Sequence, residues 1–168
     1  TFTFENFPKN KYEYFNEYKN KIIKNSKYIC LFYRSSYFYN EKVENVRNSS
    51  FSNLIPSIEY LISLGYYVVM LGDYEKNSIN YYNSKFISLP KNLKYNSWLD
   101  FFFIKYATYF VTSNSGFSNL QFLVNTPMLV LNSMPIGLRI PYKKSFYILK
   151  KIKKNNKIVD YNKIQKSL

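Results

Sequence analysis

The turn Ser113-Asn114-Ser115-Gly116 brings three short polar side chains and a lone glycine together between two apolar runs. Tyr109 to Thr112 reads as a β-strand running into this turn, and apolar residues resume at helical spacing from Phe117 to Val124. Where a strand hands over to a helix, unpaired main-chain N–H groups converge and the helix dipole favours negative charge. Gly116 allows close approach of a ligand to the backbone, and Ser113, Asn114 and Ser115 offer donors and acceptors. Phosphate is the chemistry this turn suits. It is neither a P-loop, because no Gly-Lys-Ser/Thr follows, nor a dinucleotide fingerprint, because Gly116 stands alone. A plain connecting turn is the other reading.

Arginine is the second signal. The chain carries only three, Arg34, Arg47 and Arg139, among many lysines. Where lysine is the default cation, an arginine marks a place where a planar, five-donor fork matters. Arg34 closes a predicted strand, Arg47 lies in the long loop after it, and Arg139 follows the last strand. All three belong to one edge of a parallel sheet, together with Asp73, Asn132 and the Ser113–Gly116 turn.

The elements that must position these groups follow from periodicity. Residues 8–24 read as an amphipathic helix, with Tyr12, Phe15, Tyr18 and Ile22 on one stripe. Residues 27–33 are a nearly continuous apolar run, as in a strand buried on both faces. A helix from Ser52 or Asn53 to Leu64 ends at Gly65, the expected left-handed stop. Strands follow at 66–71 and 86–89, with 74–84 a short helix or loop between them. Ser97 and Asp100 fit a capping box that opens a helix to about Ala107, with Trp98 as a core anchor. The strand–turn–helix–strand unit at 106–132 completes the alternation, and Phe146, Ile148 and Leu149 pack a last segment back. The fold class is α/β: a three-layer, doubly wound, Rossmann-like parallel sheet of about five strands. Residues 1–149 form one domain and residues 150–168 a lysine-rich tail, read as a solvated helix or frayed end.

Composition narrows the partners. The net charge of +14 invites a nucleic-acid reading. However, the lysines are scattered among Asn, Tyr, Ile and Phe, types sharing adenine- and thymine-rich codons, so nucleic acid is not the expected partner. The cluster from Lys143 to Lys166 is denser and suits contact with an anionic membrane surface. The absence of histidine removes the common triad and metal chemistries, and the lone Cys30 removes an internal disulfide. No metal or cofactor is therefore expected, and a reducing cytoplasm is the expected compartment.

With these residues in view, the chain resembles a family. YICLFYRSSYF, RNSSFSNLIPSIEYLISLGYYVVMLGD, WLDFFFIKYATYFVTSNSGFSNLQFLVNTPMLVLN and SMP stand in the order of a bacterial glycosyltransferase family. That family is GT-B, O-fucosyltransferase-like and tied to surface-polysaccharide synthesis. The resemblance covers roughly Thr3 to Pro135 and is to the carboxyl-terminal, nucleotide-sugar-binding lobe. It implies that Arg34 is the first arginine of the family pattern and that Arg47-Asn48 is its Arg-Asn pair. Gly72-Asp73, Trp98 with Asp100, Ser115-Gly116, and Asn132 with Pro135 match the later motifs. Three positions depart: Phe32 stands for histidine, Ser35 for aspartate and Met70 for arginine.

The resemblance implies transfer of a sugar from a nucleotide-diphosphate sugar to a glycan or other acceptor, with the acceptor lobe expected upstream of Thr1. Arg34 would carry the catalytic charge stabilisation. Arg47, Asn48, Asp73, Ser113, Asn114, Ser115, Gly116 and Asn132 would bind substrate. Preorganised donors meeting a diphosphate leaving group need no metal. A general base would have to be a carboxylate, and none is singled out. Two alternatives stand beside this reading: a non-catalytic basic module for nucleic acid or anionic glycan, and a degenerate relative, suggested by the three departures.

Overall fold

The computed structural model describes residues 8–35, 48–72, 80–89, 97–133 and 144–160. In chain order these form α1 (Lys9–Ile23), β1 (Tyr28–Phe32), a 3-10 turn (Phe51–Leu54) leading into α2 (Ile55–Ser63), and β2 (Tyr67–Met70). Next come β3 (Phe86–Ser88), α3 (Ser97–Tyr106), β4 (Tyr109–Ser113), a second 3-10 turn (Gly116–Leu120) leading into α4 (Gln121–Val124), and β5 (Met128–Ser133). The chain then adds β6 (Ser145–Leu149) and a small hairpin of β7 (Lys153–Lys154) and β8 (Lys157–Ile158).

The principal sheet has six strands in the order β3-β2-β1-β4-β5-β6, every pair parallel. This is the doubly wound, Rossmann-like α/β fold. Its strand order reverses between β1 and β4, and in such sheets the crevice beyond the carboxyl ends at that point is the ligand position. Tyr28, Cys30, Val69, Phe110, Met128 and Val130 share one buried cluster with α1 and α3. Leu31, Val68 and Met70 share the other with α2. Alternate residues of one strand thus feed two cores, which is why β1 reads as unbroken apolar sequence.

Rings fill the first core. Phe15 of α1 stacks on Phe102 at 5.3 Å and meets Phe103 edge-on at 5.1 Å. Phe15 and Phe103 are fully buried, and each contributes about 1.5–3 kcal/mol by leaving water. Trp98 packs edge-on against Tyr14 at 5.7 Å and Phe102 at 5.9 Å, in the core-anchor role expected of it.

Three elements differ from the sequence expectation. The sheet gains a sixth strand, β6. Within the lysine-rich segment after it, residues 153–158 make the β7–β8 hairpin rather than a helix or frayed end, turning through Asn155 and Asn156, both left-handed (φ 49° and 60°), while residues 161–168 of that segment lie outside the described residues. The helix after Gly116 is a 3-10 turn followed by a single α-turn, so it presents no long macrodipole. Left-handed Asn125 (φ 54°) and Pro127 end it.

Candidate functional site at the carboxyl rim

Arg34 stands two residues beyond β1, where the ladder with β4 has just ended at Phe32 and Thr112. Its main-chain N–H donates to the Ser113 hydroxyl at 2.6 Å, joining the two strands across the switch point. The residue is 6% exposed, and its Nε donates to Asn48 Oδ1 at 3.1 Å. The Arg34 carbonyl accepts from the Ser49 N–H at 2.9 Å. One short segment therefore holds Arg34 both at its guanidinium, through Nε, and at its main-chain carbonyl, and low surrounding dielectric strengthens the field of the charge.

That segment, Asn48–Ser50, is the hub of the rim. Asn132 reaches it from β5, donating from Nδ2 to the Ser49 hydroxyl at 2.9 Å. The ladder between β5 and β6 shifts register between Val130 and Ser133, and Asn132 sits within that bulge at φ 53°. A bulge re-aims a side chain, and asparagine is the non-glycine residue that best tolerates this backbone. From the residue after β6, the Lys150 ammonium donates to the Asn48 carbonyl at 3.0 Å. The carboxyl ends of three strands, β1, β5 and β6, thus meet around Asn48 and Ser49.

Beside the hub lies a cavity of about 700 Å³, bordered by Ser35, Ser50, Asn53, Asn132, Lys150 and Lys151 among others. Sequence reading missed Ser50, Asn53, Lys150 and Lys151. The density of Asn and Ser after Arg47 was a signal for the first two. Nothing local links Lys150 to a loop 102 residues earlier.

The Ser113–Gly116 turn borders the switch point from the other side. Ser113 is buried, Asn114 and Ser115 are half-buried, and Gly116 is exposed. Ser115 is largely occupied within its own turn: its hydroxyl accepts from the Phe117 N–H at 3.2 Å, and its carbonyl from the Ser118 hydroxyl at 2.6 Å. A Cβ at Gly116 would touch nothing within 4 Å, so the fold itself does not demand glycine there. Phe117 stacks on Phe32 at 4.3 Å, and that ring in turn covers Gly72.

The structure thus brings Arg34, Asn48, Asn132 and Ser113 onto one connected rim, with Asn114–Gly116 next to it. Arg47, Asp73 and Arg139 lie outside the described residues. Asp100 is 1% exposed in the first turn of α3, within the core rather than on the rim. Burial, then the Asp100 carboxylate, pushes the Cys30 thiol well above its ordinary range, so Cys30 is an inert core residue. Among the described residues no three His, Cys, Asp or Glu side chains gather into a set that could hold a metal ion. Among the same residues no helix is long and apolar enough to cross a membrane.

No protein-family model, curated protein or solved structure matches the chain.

Proposed function

We propose that this chain is the donor-binding lobe of a glycosyltransferase, holding a nucleotide-diphosphate sugar for transfer to a surface-glycan acceptor. The observation that carries the reading is the 2.6 Å bond from Arg34 N–H to Ser113 Oγ. It puts the arginine and the phosphate-sized turn side by side at the point where strand order reverses. A departing diphosphate needs positive charge and aimed N–H groups, fixed before the bond breaks. A buried arginine, held at Nε and at its carbonyl, meets the first need. Glycine at a position where the fold would accept a side chain fits the second, since a ligand approaching the backbone is then what excludes a Cβ.

Calorimetry with a panel of nucleoside diphosphates tests this. Binding of at least one, weakened at least tenfold by Arg34→Ala, is expected. A folded chain that binds none of them overturns the reading.

A peripheral contact with an anionic membrane belongs to the same proposal. Phe146 on β6 and Ile158 on the hairpin are 67% and 61% exposed, and the hairpin itself carries the exposed Lys153, Lys154 and Lys157, with Lys153 paired opposite Ile158. Apolar side chains flanked by ammonium groups suit a lipid interface carrying negative headgroups. Co-sedimentation with vesicles containing phosphatidylserine, and not with pure phosphatidylcholine, is the expected result. Loss of that preference in Lys153→Gln/Lys154→Gln/Lys157→Gln would assign it to the hairpin.

A further inference from the structure

The rim cavity has a chemical character of its own. Its described lining offers the hydroxyls of Ser35, Ser49 and Ser50, the amides of Asn53 and Asn132, and the ammonium groups of Lys150 and Lys151. No carboxylate lies among these residues, so the local field favours an anion. No aromatic ring does either, so a nucleobase would find nothing to stack on. Ile148 and Leu149 supply a small apolar wall of the kind that the C–H face of a sugar ring can cover. A volume of about 700 Å³ lies within the usual range for small-molecule sites.

We infer that this cavity is a binding site for a phosphorylated sugar, with Lys150 and Lys151 taking the phosphate and the Ser/Asn wall taking the hydroxyls. This deepens the donor-lobe reading and rests on it, because it seats the sugar-phosphate end of the donor between the Asn48 segment and β6. Lys150 is the better placed cation. Its bond to the Asn48 carbonyl ties it to the residue that also holds Arg34 Nε, so one segment aligns both positive groups. The bulge at Asn132 turns an amide toward the same wall.

The test uses the full chain and three probes: the nucleoside diphosphate panel, glucose 1-phosphate and inorganic pyrophosphate. Lys150→Met is the direct variant, but it also removes a bond to the hub. Asn53→Asp is therefore run beside it; Asn53 is exposed, and the change adds a carboxylate to the cavity with almost no change of shape. Both variants are expected to weaken glucose 1-phosphate at least tenfold, and to weaken the bound nucleoside diphosphate less than Arg34→Ala does. If a nucleoside diphosphate binds and depends on Arg34, but glucose 1-phosphate does not bind or ignores both variants, the cavity assignment falls and the donor-lobe reading stands. If glucose 1-phosphate binds through Lys150 and Asn53 while no nucleoside diphosphate binds, the cavity stands as a sugar-phosphate site and the donor-lobe reading falls. Binding of pyrophosphate alone, insensitive to Asn53→Asp, overturns the sugar component.

Discussion

Gly72→Ala probes the packing that closes the carboxyl ends of β1 and β2. Gly72 has φ +87°, and a Cβ built there would lie 2.5 Å from Phe32 Cε2 and 2.7 Å from Cδ2. Two costs add. A side chain in this left-handed backbone costs about 1–2 kcal/mol. The overlap could be relieved by swinging the Phe32 ring, but that ring is stacked on Phe117 at 4.3 Å with the planes 10° apart. Displacing a packed ring costs about 1–3 kcal/mol. The expected destabilisation is therefore about 2–5 kcal/mol. With a urea slope near 2 kcal/mol per molar, the unfolding midpoint should fall by about 1–2.5 M. Urea titration followed by far-UV circular dichroism and by fluorescence of the single tryptophan, Trp98, gives the value and checks that the two probes coincide. In the Phe32→Ala background only the backbone cost should remain, so the double-mutant cycle should return about 1–3 kcal/mol of coupling. A loss under about 1 kcal/mol in Gly72→Ala, or a cycle that closes at zero, would refute the argument that Phe32 forbids a side chain here.

Three further outcomes follow from burial and backbone geometry elsewhere in the molecule. Burial holds the Tyr28 phenol, which donates to the Phe103 carbonyl at 2.9 Å, protonated well past its ordinary value near 10. Above that pH the unfolded chain releases a proton that the folded chain keeps. The contribution is thus intact below about pH 10 and falls as pH rises, by up to about 1.4 kcal/mol per pH unit. Tyr28→Phe should flatten the stability profile between about pH 10 and 11.5, and an unchanged slope in urea titrations would contradict this. Cys30 should resist Ellman's reagent in the native chain and react only as fast as the fold opens; rapid native labelling would show that β1 is not buried as described. Replacing Asn155 and Asn156 by alanine should cost the hairpin about 1–2 kcal/mol and speed hydrogen exchange at the Val159 amide, which donates to Ile152 at 2.9 Å; Asn156→Gly should leave exchange unchanged.

Much of the sheet was legible because burial on both faces leaves a plain mark. Residues 28–33 have no polar break after Lys27, and Gly65, at φ +93°, stops its helix as its position implies. Elsewhere two signals competed. Phe117, Leu120, Leu123 and Val124 satisfy an α-helix and a 3-10 turn almost equally, and the Ser118 hydroxyl bonding back to Ser115 favours the tighter form. β6 was obscured by the lysines on either side, and its hairpin by an Asn-Asn turn where Asn-Gly is the stronger cue. For the site, scarcity of arginine pointed to Arg34. The hub did not show, because contacts from Asn48 to Lys150 and from Ser49 to Asn132 exist only once distant strands align.

β6 ends the described sheet, and an end strand offers open backbone groups to any passing chain. Here that row is followed at once by Lys150, Lys151, Lys153, Lys154 and Lys157. Two copies approaching edge to edge would bring these ammonium clusters together, so self-association through this side should be suppressed in dilute salt. The protection is only as long as the Debye length. Raising ionic strength or adding a polyanion would lift it, which makes storage at low salt without polyanions the condition under which the protein should aggregate least.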